Sequence, residues 1–111
     1  MAGFKAHIGT CENEEDKVLS VCQCDAEGGI EHELIIQRGP KEFEIFDDMS
    51  GPRISYDRIG LDMAPGPKKI LFAGDAMTVV VSSKESIEID ISELEASEKR
   101  ELKAVGKALF E

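Results

Sequence analysis

A chain of 111 residues carrying 23 Asp and Glu against 13 Lys and Arg, a net charge of −10, has the length of one domain and is repelled by phosphate backbones and anionic lipid. Its 41% hydrophobic content is enough for a globular core that buries roughly two-thirds of the unfolded surface, which excludes disorder. No apolar run approaches the ~18 residues of a membrane span and no basic-then-apolar leader is present, so the expectation is a cytoplasmic protein with neither nucleic acid nor membrane as a direct partner.

Along the chain, Phe4 to Ile8 alternates as a first strand, with Phe4, Ala6 and Ile8 on one side and Lys5 and His7 on the other. Residues 9–17, GTCENEEDK, read as a loop, because Gly9 interrupts the strand and Glu12, Glu14, Glu15 and Asp16 repel one another. Val18 to Cys24 follows as a second strand, and DAEGG, Asp25 to Gly29, turns the chain. In Ile30 to Arg38, His32, Leu34 and Ile36 point one way while Glu33, Ile35 and Gln37 point the other. Apolar residues on both faces predict a central strand, fully covered on one side and partly on the other.

The segment 39–53 is bracketed by Gly39-Pro40 and Gly51-Pro52 and holds Phe43, Ile45 and Phe46, which predicts a short strand or an ordered loop. Ile54 to Arg58 resumes as a strand, and Ala64-Pro65-Gly66-Pro67 forms a rigid loop. Gly74-Asp75 between two apolar runs is a two-residue hairpin signal, placing Ala73 opposite Ala76, Phe72 opposite Met77 and Ile70 opposite Val79. Ser86 to Ile91 alternates, with Ile87, Ile89 and Ile91 inward and Glu88 and Asp90 outward. Leu102, Val105 and Leu109 then recur at helical spacing, with Ser97 as one candidate N-cap and Ser92 with Glu95 as a competing start. Together these predict a single α+β domain over residues 1–111: a mostly antiparallel β-sheet of about six to eight strands with one C-terminal helix packed on one face, over Leu34 and Ile36.

Enzyme chemistry finds no signature: there is no Gly-rich phosphate loop, no G-x-S-x-G and no H-E-x-x-H. Cys11, Cys22 and Cys24 are an odd set in a reducing compartment, most simply read as free thiols. With His32 they could hold zinc, but C-x-C is not the usual spacing, and no metal or cofactor is expected. Asp47-Asp48 lacks the ligand spacing of a calcium loop. The carboxylates read better as a docking surface. Seven acids stand against Lys99 and Arg100 between Glu85 and Glu101, and a basic protein partner would turn that self-repulsion into attraction. The candidate partner-binding residues are Asp47, Asp48, Tyr56, Glu88 and Asp90, with Tyr56 as an anchor beside the charge.

With these elements in place, the chain resembles the immunity protein 10 family of bacterial polymorphic toxin systems. The matching features are ELIIQRG at Glu33 to Gly39, the pair Asp47-Asp48, GPRISYDR at Gly51 to Arg58, the hairpin KKILFAGDAMTVVV, the strand SIEIDIS and a last helix ending ALF. The resemblance implies a small cytoplasmic α+β protein, not an enzyme, that binds and neutralises a cognate toxin with a basic surface and is itself a monomer or homodimer. Two other classes remain beside it: a small metal-binding or thiol-dependent enzyme using Cys22, Cys24 and His32, and a structural or adaptor subunit of a larger assembly or a homodimer joined along an unprotected sheet edge.

Overall fold

The computed structural model describes residues 2–39, 52–56, 64–65, 67–81 and 83–110. In chain order the elements are β1 (Ala2–Lys5), β2 (Ile8–Asn13), β3 (Lys17–Cys24), β4 (Ile30–Arg38), β5 (Arg53–Tyr56), β6 (Ala64–Pro65), β7 (Lys69–Ala73), β8 (Ala76–Val80), β9 (Ser86–Asp90) and α1 (Ala96–Ala108). The fold is α+β. Its strands divide between two sheets instead of forming one: a four-stranded sheet in the order β1-β9-β8-β7 and a five-stranded sheet in the order β2-β3-β4-β5-β6. All neighbours run antiparallel except β1 and β9, which pair in parallel.

The expected first strand, Phe4 to Ile8, is broken in the middle, and backbone hydrogen bonds show why. The Ala6 N–H donates to Asp90 O in one sheet, and the next residue, His7, donates to Cys22 O in the other, both at 2.8 Å. The chain changes sheets within two residues. Ala6 is fully buried at the crossing, and Ile8, carried onto the other sheet, ends up 46% exposed.

The expected loop at 9–17 is also corrected, because β2 occupies most of it and only residues 14–16 bend. Gly9 is a strand residue with a packing reason. A Cβ there would stand 3.2 Å from Leu94 Cδ1 and 3.6 Å from Leu102 Cδ1, so the missing side chain lets α1 lie against β2. Cys11 points inward opposite Leu19, while the carboxylates that suggested a loop sit on the exposed side or in the turn. At the next turn Asp25 Oδ1 accepts from the N–H groups of Glu27 (2.9 Å) and Gly29 (2.8 Å), and Gly28 takes φ +86°.

The hairpin β7–β8 has the expected register throughout, with Ala73 opposite Ala76, Phe72 opposite Met77 and Ile70 opposite Val79. Gly74 takes φ +60°, as the first central position of such a turn requires. In β9 and beyond, Ile87, Ile89 and Ile91 are buried as the alternation predicts.

The helix starts at Ala96 with Glu95 as its N-cap, so neither Ser97 nor Ser92 caps it. Glu98 Oε1 accepts the Glu95 N–H at 3.0 Å, and its Oε2 accepts the Gly9 N–H at 3.2 Å, so one carboxylate caps the helix and ties it to β2. At the other end Arg38 Nη1 donates to Leu109 O at 2.9 Å, filling one of the carbonyls a helix terminus leaves open. Leu102, Val105 and Leu109 are buried, the stripe read from their spacing.

The helix lies mainly along β2 and β3 and reaches β7, so it is not the principal cover of Leu34 and Ile36. Those two side chains are buried in one core with Met77, Val79, Ile87 and Ile89 of the four-stranded sheet. Leu102, Val105 and Leu109 of the helix belong to the same core.

Gly106 faces the four-stranded sheet. An added Cβ would stand 3.2 Å from Phe72 Cε2 and 3.7 Å from Ile70 Cδ1. Gly106→Ala gains about 1 kcal/mol of helix propensity and loses a similar amount to crowding, so its unfolding free energy should stay near wild type. Gly106→Val adds branches with nowhere to go and should cost about 1–3 kcal/mol, read from the urea midpoint.

Candidate protein-docking surface

The register of the five-stranded sheet sorts its side chains into two faces. Two inner rows, Cys11–Leu19–Ile36–Ile54 and Gly9–Val21–Leu34–Tyr56, face the core. Three outer rows face away from it: Ile8–Cys22–Glu33, Thr10–Ser20–Ile35–Ser55, and Glu12–Val18–Gln37–Arg53. The centre of the outer face is therefore Ile35 in one row with three hydroxyls, flanked directly by Ser20 and Ser55, with half-buried Val18 and Cys22 nearby and exposed Ile8 farther out.

Charge gathers around this face. Residues 8–38 hold eight carboxylates (Glu12, Glu14, Glu15, Asp16, Asp25, Glu27, Glu31, Glu33) against Lys17 and Arg38, a balance of −6 within the chain's −10, and Arg53 adds one cation to the outer face. Some are engaged locally: Asp25 forms its turn, and Glu31 accepts from Gln23 Nε2 at 3.2 Å. As a group they place a negative rim around an apolar and hydroxyl centre, the composition of a surface that excludes water at its middle and steers a cation-rich partner at its edge.

Among the described residues, the candidate Tyr56 does not share a face with Glu88 and Asp90. Asp47 and Asp48 lie outside the described residues. Tyr56 sits in an inner row beside Leu34, half-buried, its ring stacked on Phe4 with centroids 6.2 Å apart. Glu88 and Asp90 share the outer face of the other sheet, where Glu88 is opposite Thr78 and Asp90 opposite Ala76. Asp90 has a structural task there, since Oδ1 accepts the Ser92 N–H at 2.9 Å, and the Ser92 side chain first, then this N–H, hold its carboxyl below the usual range.

Other acids from the Glu85–Glu101 run are also engaged within the chain. Glu93 Oε2 lies 3.2 Å from His7 Nε2, and Glu98 caps α1. The run's density partly reflects the need to fasten the helix onto two sheets. The outer row around Ile35 was not named from the sequence, although its signal, an apolar residue on the second face of β4, is visible there.

The thiols do not all share one face of the sheet. Cys11 is in an inner row and Cys22 in an outer one, on opposite faces of the sheet. Among the described residues no three His, Cys, Asp or Glu side chains stand close enough to hold a metal ion. His7 is engaged at both nitrogens, Nδ1 accepting the Cys24 N–H at 3.1 Å and Nε2 facing Glu93. His32 stacks on Phe4 at 5.7 Å.

Partial burial, then Cys24 and Glu33, raise the Cys22 thiol above its ordinary value, the opposite of what a nucleophilic cysteine requires. Burial and the Glu101 carboxylate push Cys11 up from 9.0 to about 11. Near neutral pH a thiol-reactive dye should therefore label Cys11 far more slowly in the folded chain than in urea. The neutral thiol is the form the fold prefers, so its contribution to stability is complete below pH 9.0 and disappears as pH rises toward about 11.

No helix among the described residues is long and apolar enough to cross a membrane. Compared with protein-family models and with curated proteins, the chain matches no family model and no curated relative.

Proposed function

We propose that this chain is an acidic inhibitor domain of the immunity-protein type, which docks a basic toxin domain on the outer face of its five-stranded sheet and thereby neutralises it. The observation that carries the reading is the concentration of negative charge on the β2–β3–β4 meander around an apolar and hydroxyl row centred on Ile35. The carboxylates raise the rate of encounter with a cationic surface, and the central row supplies contacts that become dry on docking. Such a face can lie across a channel built to bind phosphate, with carboxylates standing where phosphates would. The resemblance in ELIIQRG, the β7–β8 hairpin and the last helix supports this reading and implies a bacterial, cytoplasmic setting.

The test is co-expression with the small C-terminal domain of a large secreted protein encoded in the adjacent reading frame. Cells producing that domain should grow when this chain is present and stop when it is absent. Growth arrest in both cases would sink the proposal.

A further inference from the structure

Each sheet ends in two edge strands, and three of the four edges are managed in recognisable ways. The Lys5 N–H of β1 donates to Gln23 Oε1 at 3.1 Å. The edge of β2 lies under α1, and its Gly9 N–H is taken by Glu98. The strand β6 is only two residues long. The fourth edge, β7, is five residues long, and no strand among the described residues pairs with its other side. The helix meets β7 through the side chains of Ile70 and Phe72, as the close approach of Gly106 shows.

The hairpin geometry specifies what this edge offers. A two-residue turn makes Ala73 and Ala76 the pair that exchanges both ladder bonds, so by alternation Lys69 and Leu71 bond toward β8. Ile70 and Phe72 then present their backbone N–H and C=O groups to the open side. At the centre of the strand Leu71 is 49% exposed, the most exposed large apolar side chain among the described residues. Lys68 and Lys69 stand at one end and Asp75 just beyond the other.

We propose that β7 pairs antiparallel with β7 of a second copy across a two-fold axis at Leu71, joining the two four-stranded sheets into one. With that axis Ile70 faces Phe72 of the second copy and Phe72 faces its Ile70, so both free edges are used in register. Leu71 meets its own counterpart as a pair without ladder bonds, the arrangement in which cross-strand side chains come closest. Lysines on an edge commonly discourage pairing. Here both stand at one end, and the two-fold brings them toward Asp75 of the second copy, whose carboxylate is more than half exposed even while paired with Lys99 at 2.9 Å. The pairing engages only the four-stranded sheet, and therefore does not compete for the surface around Ile35.

An interface of one short strand pair is small, so the dimer should be weak, with a dissociation constant of about 0.1 mM. Sedimentation equilibrium of the full chain from about 10 µM to about 1 mM should show the mass rising from 12.2 kDa toward twice that value. Leu71→Lys, a change at an exposed position, should hold the mass at one chain across the range. Leu71→Cys, oxidised at high concentration, should give a dimer linked through the two introduced thiols in a peptide digest. A wild-type mass that stays at one chain throughout overturns the proposal. So does a dimer that Leu71→Lys leaves intact, or one in which the introduced thiols never link.

Discussion

Leu102→Ala should lower the unfolding free energy by about 3 kcal/mol, within the 2–5 kcal/mol range of leucine truncations at fully buried sites. Leu102 is completely buried and stands where α1 presses on Gly9 of β2. The cavity left behind would be flanked by two backbones that already approach closely, one of them a strand tied to the helix through Glu98. Relaxation to fill it would require moving the helix and breaking that capping contact, so the cost should fall in the middle of the range rather than at its low end. The urea midpoint should drop with the slope unchanged. Ser97→Ala is the matched control. The sequence offers Ser97 as a cap, but the helix begins at Ala96 with Glu95 as its N-cap, so Ser97 is an exposed residue of the first turn and its replacement should change stability by less than about 0.5 kcal/mol.

Ile35→Lys should abolish protection in the co-expression assay and weaken the complex with the toxic domain by about a hundredfold or more. Ile35 is the apolar centre of the outer row, half-buried between Ser20 and Ser55. A lysine there removes the dry contact and places a cation against a cationic partner, and truncating a central anchor alone costs about 2 kcal/mol or more at such surfaces. The side chain points away from the core, so the fold should persist with a far smaller stability loss than Leu102→Ala. Loss of protection together with retained folding distinguishes a docking role from a structural one. Glu88→Lys, on the outer face of the other sheet, reverses a charge of the same kind and should leave protection near wild type.

Much of the fold is legible in the residues where pattern and turn chemistry agree. Gly74-Asp75 set the β7–β8 register to the residue, and the isoleucines of β9 announce their buried face. The helix stripe at Leu102, Val105 and Leu109 is equally plain. The misreadings have a shared cause: local pattern carries no information about which sheet a strand joins. Ala6 and His7 are neighbours in an alternating run, yet their amides bond to different sheets. Gly9 reads as a strand breaker when its purpose is to admit a helix that begins more than eighty residues later.

The proposed docking surface is half legible for a related reason. The run from Glu85 to Glu101 is conspicuous as charge, but Asp90, Glu93 and Glu98 hold turns, a histidine and a helix cap, tasks that depend on tertiary neighbours. The outer row around Ile35 has the opposite character. Thr10, Ser20, Ile35 and Ser55 are unremarkable one by one and scattered over forty-six positions, and only the pairing of four strands assembles them.

The most direct measurement is a titration of isotope-labelled chain with the proposed partner, a toxic domain sought in the adjacent reading frame, followed by backbone amide resonances. The amides of Thr10, Ser20, Cys22, Glu33, Ile35 and Ser55 should shift or broaden together as the complex forms. Perturbations gathered instead on Leu71, Thr78 and Glu88, or a spectrum unchanged at saturating partner, would contradict the assignment of this face.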